Sequence, residues 1–569
     1  MNTRQPTLGF AAAATRGRAY SLLATLLATL ASAGAHAETT LIEALESGDM
    51  AAASKLLDAG SDAKARGLDG TTTAMWAAYH GDAATLERLI AAGVDVNATN
   101  EYGANALSEA AVLGSTPIIE ALLEAGADAN RRSAEGETPL MVVARTGNVA
   151  SAKLLIAAGA DVNAVEEWGG QSALMWAAAQ SQPAMVQFLL ASGANPDARG
   201  AERDWQRRVL SEPRPKDMNR GGFTALLYAA REGCIDCARR LVEGGADIDL
   251  PDPERVTPLA LATNNQHFDL AMYLIEAGAD VDKWDLFGRT PLYQAIDMNT
   301  LPTQGSGSMS AIPSLDRHSA LDVAQLLLEK GANPNIQLKR RPPYRNIGND
   351  RGGDRILSQG ATALLRAARA GDAPAVKLLL EHGALVDLPG NYGVTPLMAA
   401  AGVEFGLRVT RGRNRTEAGV LETMQLLLDA GADIEAKSFV EPSVGDTPYE
   451  GVNSAARQGN YSFNRRGRQV PSQSAVLNQT AIHGAAQRGF TFAVAFLAAH
   501  GSDLQAKDSN GRTPLDLASG KFSEDFRRQA TEPHVETVKL IESLLAQRAG
   551  GAVPVARLAP SPEAALSAE

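Results

Sequence analysis

The sequence predicts an all-α repeat solenoid, because one motif recurs along most of its 569 residues. A threonine or a close substitute opens each copy, and uninterrupted copies follow one another every 33 or 34 residues. Self-similarity at a fixed period of this length is typical of stacked repeats. The opening residues are Thr72, Asn105, Thr138, Ser172, Thr224, Thr257, Thr290, Thr362, Thr395, Thr480 and Thr513.

Each copy contains the signals of two helices. Thr138 can cap the first helix by accepting a backbone N–H, and Pro139 suits the first turn, where no N–H is needed. Small residues such as Ala77 and Ala78 allow a neighbouring helix to approach closely, and Gly147 supplies the left-handed turn that ends the helix. A second helix with paired apolar residues follows and ends at another glycine. Because such a pair cannot bury its apolar face alone, we expect the copies to stack.

This pattern resembles the ankyrin repeat, and the chain from about Thr39 to Ala546 is identified as a member of that family. The resemblance implies stacked hairpin–helix–helix units whose hairpins and first helices form a concave face. It also implies that hairpin tips and exposed first-helix residues bind proteins. We expect an array over residues 38–548, made of a cap and about eleven repeats, and a disordered tail over 549–569.

Insertions interrupt the period in five places, near 201–220, 299–318, 338–358, 402–418 and 441–479. The last is open to two interpretations, because Thr447 and Pro448 lie 33 residues before Thr480 and could mark a decayed repeat. No second-helix motif follows them, which favours a loop.

The first 37 residues are predicted to be a signal peptide. Three arginines precede the apolar run Ser21–Leu30, and an A-x-A cleavage motif ends at Ala37. The run is shorter than the roughly 20 apolar residues that a membrane span needs. We therefore expect an exported mature chain without a membrane span, in the periplasm or, as the alternative, secreted.

Composition and motifs predict no catalytic residue, no cofactor and no metal site. The eight histidines are scattered, and the sequence contains no HExxH, GxSxG or P-loop motif. The periodic carboxylates, such as Asp95, Asp128, Asp161, Asp247, Asp280 and Asp433, indicate turn capping rather than acid–base chemistry. A net charge of −12 argues against nucleic acid as the main partner.

Cys234 and Cys237 form a C-x-x-C motif at a predicted helix start. A helix N-terminus lowers the pKa of a thiol, so a redox pair is one interpretation. The surrounding sequence is not of the thioredoxin type, which favours an i,i+3 disulfide or two unreactive thiols. Two ligands alone do not complete a zinc site.

Two sets of residues are candidates for partner binding. Exposed aromatics are favoured interface anchors, although those at the predicted tips could instead pack on adjacent tips; they are Tyr102, Trp168, Phe287 and Tyr392. The second set lies in the basic insertions and comprises Trp205, Arg207, Arg208, Arg340, Arg341, Arg345, Arg411, Arg413, Arg465 and Arg466. Trp76 and Trp176 occupy equivalent positions before an alanine pair and are expected in the core.

These observations favour a non-catalytic, monomeric scaffold that binds another protein, whose identity the sequence does not give. Recognition of an anionic polymer or envelope component by the arginine-rich insertions is the alternative. A redox or regulatory accessory that uses the C-x-x-C pair is a further one.

Overall fold

Short α-helices in consecutive pairs make up most of the chain. The computed structural model describes residues 39–202, 221–300, 314–340, 356–357, 359–403, 415–439, 461–463, 469–471, 478–520 and 533–549. These residues contain twenty-four α-helices and divide into two compact units, Met1–Ala134 and Glu135–Glu569. The predicted signal peptide, residues 1–37, lies outside the described residues.

Unit 1 contains three helix pairs in its described part. The helices are α1 (Leu41–Glu46), α2 (Met50–Asp58), α3 (Thr73–Tyr79), α4 (Ala83–Ala91), α5 (Ala106–Leu113) and α6 (Thr116–Glu124). The first helices pack side by side, α1 against α3 and α3 against α5, and each second helix packs on the first helix of its own pair.

Unit 2 continues the same order through nine pairs within the residues described. Its helices are α7 (Pro139–Thr146), α8 (Val149–Ala157), α9 (Ala173–Ala179), α10 (Pro183–Ala191), α11 (Ala225–Glu232), α12 (Ile235–Glu243), α13 (Pro258–Asn264), α14 (Phe268–Glu276), α15 (Pro291–Asn299), α16 (Ala320–Glu329), α17 (Ala363–Ala370), α18 (Ala373–Glu381), α19 (Pro396–Ala401), α20 (Glu417–Asp429), α21 (Ala481–Gln487), α22 (Thr491–Ala499), α23 (Pro514–Ala518) and α24 (Val535–Ala549). A small antiparallel hairpin, β1 (Tyr461–Phe463) with β2 (Gln469–Pro471), lies within the insertion 441–479. The predicted all-α repeat fold is confirmed.

The helix boundaries follow from the capping residues. The Thr138 hydroxyl accepts a hydrogen bond from the Met141 backbone N–H at 3.4 Å, and Pro139 occupies the first turn of α7. Gly147 ends that helix with φ of 77°, in the left-handed region where a side chain is disfavoured. Between these ends Leu140, Val143 and Ala144 are completely buried. Burial of a leucine of this kind stabilises the fold by about 1.5–3 kcal/mol.

A hydrogen-bonded ladder joins the loops that follow the second helices of unit 2. The Asn163 side chain accepts from the Asn195 backbone N–H at 2.8 Å and donates to the Gly193 carbonyl at 3.1 Å. The Asp161 carboxylate accepts from the Asn163 backbone N–H at 2.9 Å. The capping role predicted for the periodic carboxylates is therefore confirmed at this loop.

Aspartates occupy several positions of the ladder that could equally hold asparagine. Asp249 accepts from the Asp280 N–H at 3.0 Å, and Asp282 accepts from the Asn333 N–H at 2.9 Å. Burial raises the pKa of Asp249, Asp282 and Asp387 above the usual value. Holding these carboxylates in the ionised state therefore costs free energy in the folded chain.

Asp249→Asn is expected to stabilise unit 2 at pH 7 by about 0.5–1 kcal/mol. Asparagine keeps the acceptor for the Asp280 N–H, removes the buried charge and adds a donor, as Asn163 shows. Denaturant unfolding of the mature chain measures the change. As a control, Glu276→Gln removes an exposed charge from the end of α14, in the next repeat, and should leave stability almost unchanged.

The same substitution should have a defined pH dependence. Because the pKa of Asp249 is higher in the folded chain, the wild type loses stability as pH rises through that value. The advantage of asparagine should therefore be present at neutral pH, shrink as pH falls through the raised pKa of the folded chain, and be lost below about pH 4, where aspartate is protonated in the unfolded chain too. An advantage that grew on acidification would contradict this explanation.

Candidate partner-binding surface

The hairpin tip before α5 holds Tyr102 in solvent. The Asn100 side chain accepts hydrogen bonds from the backbone N–H groups of Tyr102 at 3.1 Å and Ala104 at 2.9 Å. Gly103 completes the turn with φ of 74°. The tip is therefore internally braced, and the Tyr102 side chain is 59% exposed.

The tip before α9 is fixed by a buried carboxylate. Glu166 accepts from the backbone N–H groups of Trp168 at 2.6 Å, Gly169 at 2.7 Å and Gln171 at 2.9 Å. Glu166 is buried, whereas Trp168 is 70% exposed. Most of a large aromatic side chain is thus exposed on a backbone that is held in one conformation.

The prediction of an exposed aromatic is wrong for Phe287, which is only 8% exposed. The backbone N–H of Lys339 donates to the Phe287 carbonyl at 2.9 Å, so the chain leading into the next tip passes directly over this one. The Arg289 guanidinium lies 5.5 Å from the ring and pairs with the Asp285 carboxylate at 2.6 Å. At this position the alternative, packing on a neighbouring tip, holds.

Tyr392 is half-buried and has φ of 64°, an uncommon backbone conformation for a residue with a side chain. Its carbonyl accepts from the Phe439 N–H at 2.8 Å. Phe439 is itself partly exposed and was not singled out from the sequence, because it lies at the edge of an insertion rather than in a regular tip.

Among the basic candidates, Arg340 is described, and its side chain is exposed. The other insertion candidates lie outside the described residues; they are Trp205, Arg207, Arg208, Arg341, Arg345, Arg411, Arg413, Arg465 and Arg466. The binding edge predicted from them stays a prediction.

The first helices add aromatic side chains that differ between equivalent positions. Trp176 is only 5% exposed, as predicted for a core position, and the Arg145 guanidinium lies 5.1 Å from its ring centre. Trp76 is only half-buried, so the core prediction is incomplete there. Its ring lies 5.7 Å from Tyr79 and 6.0 Å from His80, both of which are exposed.

Cys234 and Cys237 are joined as a disulfide at the start of α12. The Cys234 sulfur accepts from the Cys237 N–H at 3.2 Å and so occupies the capping position. Asp82 and Asp372 cap other second helices in the same way, by accepting from Thr85 at 3.1 Å and Ala375 at 3.3 Å. The pair is therefore built into a standard helix start of this array.

The double variant Cys234→Asp, Cys237→Ala should fold and be about 1–2 kcal/mol less stable. It loses the cross-link, whose effect is small for so short a loop, and gains a carboxylate cap. Thermal unfolding measures this difference. Reduction should destabilise the wild type but leave the variant unchanged, and loss of partner binding in the variant would favour the redox interpretation.

The buried histidine of α21 has a structural role. His483 is completely buried, bonded through Nδ1 to the Thr480 hydroxyl at 2.9 Å, and burial lowers its pKa. Within the described residues, no group of three or more His, Cys, Asp or Glu side chains could hold a metal ion. No helix in that same part of the chain is both long and apolar enough to cross a membrane.

Paired short helices, braced tips and a loop ladder define a helical-repeat protein whose surface, rather than an enclosed pocket, carries the candidate residues. The family described as "Ankyrin repeats (3 copies)" matches residues 41–133, 114–200, 226–338 and 317–438. The chain therefore belongs to the ankyrin-repeat family.

One solved structure similar to this chain is the human ASB11 ankyrin repeat domain, with 22% sequence identity and a TM-score of 0.35. The alignment covers 42% of this chain and 98% of that domain. A comparison with curated proteins gave no match.

Proposed function

We propose that the mature chain is an exported, non-catalytic scaffold that binds a protein partner through its hairpin tips and the exposed residues of its first helices. Ankyrin repeats generally mediate protein–protein binding, and proteins built from them are typically non-catalytic. The observation that carries the proposal is Trp168, a largely exposed tryptophan on a tip fixed by the buried Glu166 carboxylate. A ring carried on a backbone that is ordered before binding loses less entropy in an interface than one on a flexible loop.

Tyr102 supports the same function in unit 1, because Asn100 braces its tip. Both rings are large amphipathic groups of the kind that dominates interface energies. Because each ring is mostly exposed, it contributes little to burial within its own unit. Their substitution should therefore affect binding more than folding.

Trp168→Ser and Tyr102→Ser are each expected to weaken partner capture at least about tenfold. Affinity capture from an envelope extract with the tagged mature chain, followed by titration of the recovered partner, measures the effect. Leu385→Ser changes an exposed apolar residue in a loop that follows a second helix, and it should bind like the wild type. Unchanged capture by both tip variants would overturn the proposal.

Salt separates this function from recognition of an anionic polymer or envelope component by the basic insertions. Polyanion binding falls steeply with ionic strength, whereas an interface anchored by aromatic rings resists salt. Capture that disappears between 50 and about 200 mM salt would favour the polyanion alternative.

Export is part of the proposal and is supported by the residues before Glu38. We expect the mature chain to begin at Glu38 and to be recovered from the periplasm, with the culture medium as the alternative. N-terminal sequencing of the protein from a fractionated culture tests this. Recovery of a cytoplasmic chain that retains Ser21–Leu30 would contradict export by cleavage.

A further inference from the structure

We propose that the first helices of unit 1 form a docking site for an arginine-bearing segment of the partner protein. The inference rests on the proposed function and specifies the chemistry of the partner. We call this site the aromatic–acidic surface; its residues are Trp76, Tyr79, His80, Glu109, Val112 and Leu113.

The equivalent tryptophan in unit 2 shows that an arginine can pack on the ring at this position. Trp176 lies four residues after its capping residue, as Trp76 does, and the Arg145 guanidinium of the preceding repeat covers it. Arg145 lies seven residues after the capping Thr138. In the repeat that precedes Trp76, the equivalent residue is Ser47, seven residues after the capping Thr40. Ser47 is exposed and carries no charge.

Unit 1 therefore lacks the arginine that unit 2 supplies from its own chain at this position. In the described residues no Lys or Arg side chain lies over Trp76, Tyr79 or Tyr102. Six rings of unit 2 do have an arginine close to the ring; they are Trp176, Tyr228, Tyr273, Trp284, Phe287 and Phe490. Tyr79 is 52% exposed, so its ring is accessible to a cation from another protein.

The charge of the surface favours a cation. Glu109 lies four residues after Asn105, so the relation between Arg145 and Trp176 places it next to Tyr79. Burial raises the pKa of Glu109, and no cation pairs with it in the described part of the chain. Residues 39–134 contain fourteen acidic and six basic side chains. A guanidinium bound at this surface would therefore contact both the aromatic ring of Tyr79 and the carboxylate of Glu109.

The apolar residues Val112 and Leu113 beside the acidic position indicate that the ligand also carries apolar side chains. Val112 and Leu113 are 58% and 51% exposed, and they lie seven and eight residues after the capping Asn105, as Tyr79 and His80 do after the capping Thr72. Leu113 leans towards α3, since a Cβ atom at Gly81 would lie 3.0 Å from its Cδ2. Arginine has a planar group that stacks on aromatic faces, whereas the lysine charge is compact and strongly hydrated. The expected ligand is a segment in which arginine lies beside aliphatic residues.

The test uses the mature chain and a dye-labelled synthetic peptide that contains two arginines among leucines, with lysine and glutamine versions as probes. Fluorescence anisotropy should show the arginine peptide binding several-fold tighter than the lysine peptide. The glutamine peptide should bind about tenfold or more weakly, because it offers neither charge nor guanidinium stacking.

The decisive variant is Ser47→Arg, which supplies in cis the group that Arg145 supplies to Trp176. It should weaken binding of the arginine peptide about tenfold while unfolding like the wild type. Tyr79→Ala and Glu109→Gln should weaken binding by a similar factor. Ala92→Arg adds the same charge at the exposed end of a second helix and should leave binding unchanged.

Equal binding of the arginine peptide by Ser47→Arg and the wild type would overturn the assignment, as would equal binding of the arginine and glutamine peptides. If the peptide fails to bind while capture still depends on Trp168, this inference fails and the proposed function stands. If Ser47→Arg instead abolishes self-association in sedimentation, the occupant is a second copy of this chain, and the assignment to a partner protein is wrong.

Discussion

Burial between neighbouring first helices is the constraint on which the rest of the structure depends. The described helices have five to fifteen residues, lengths at which an isolated helix is marginal at best in water. Each first helix therefore needs a neighbour against its alanine-rich face. Ala77 and Ala78 in α3, like Ala177 and Ala178 in α9, are completely buried because a small side chain lets the next helix approach. Stability is thus distributed along each unit rather than concentrated in one core.

This constraint also decides which residues are available for binding. The tip side chains of Tyr102 and Trp168 are mostly exposed, so their identity can change without opening a cavity in the helix stack. The tip backbone remains ordered because Asn100 and Glu166 bond to its N–H groups. Tyr102 and Trp168 are consequently exposed but held on fixed backbones, a combination that suits recognition.

The repeat architecture could be predicted from the sequence because its signals are local and periodic. A threonine cap and a terminal glycine act within one helix, as Thr138 and Gly147 show. Exposure at the binding surface could not be predicted so well, since it depends on what the adjacent segment places over a ring. Phe287 has a regular tip sequence yet is buried by the crossing chain at Lys339. Trp76 and Trp176 share a position but differ in exposure, and the preceding repeat supplies an arginine only to Trp176.

Tyr79 and Glu109 were missed for a related reason. Neither departs from ordinary helix composition, and their significance appears only when adjacent repeats are compared position by position. A comparison of this kind was available in the sequence, because Ser47 and Arg145 have the same spacing from their capping threonines. The sequence alone does not show that the Arg145 guanidinium covers the Trp176 ring; the structure does.

The loop ladder explains how the array accommodates long insertions. Regular neighbours are linked across 31 or 32 residues, as between Asp249 and Asp280 or Asn163 and Asn195. Equivalent links persist where insertions lengthen the chain: the Asp247 N–H donates to Asp197 across 50 residues, and the Asp503 N–H donates to Glu435 across 68.

Two sets of contacts fix the register of neighbouring repeats: the packing of the first helices and this ladder. Neither set requires a standard number of residues between one repeat and the next. Loop closure entropy grows slowly with length, so the remaining cost of an insertion is small. Insertions at tips and between helices leave both sets of contacts in place. Variation in the length of this array is consequently placed at the tips and helix-connecting segments, where it alters what the surface offers to a partner without disturbing the stack.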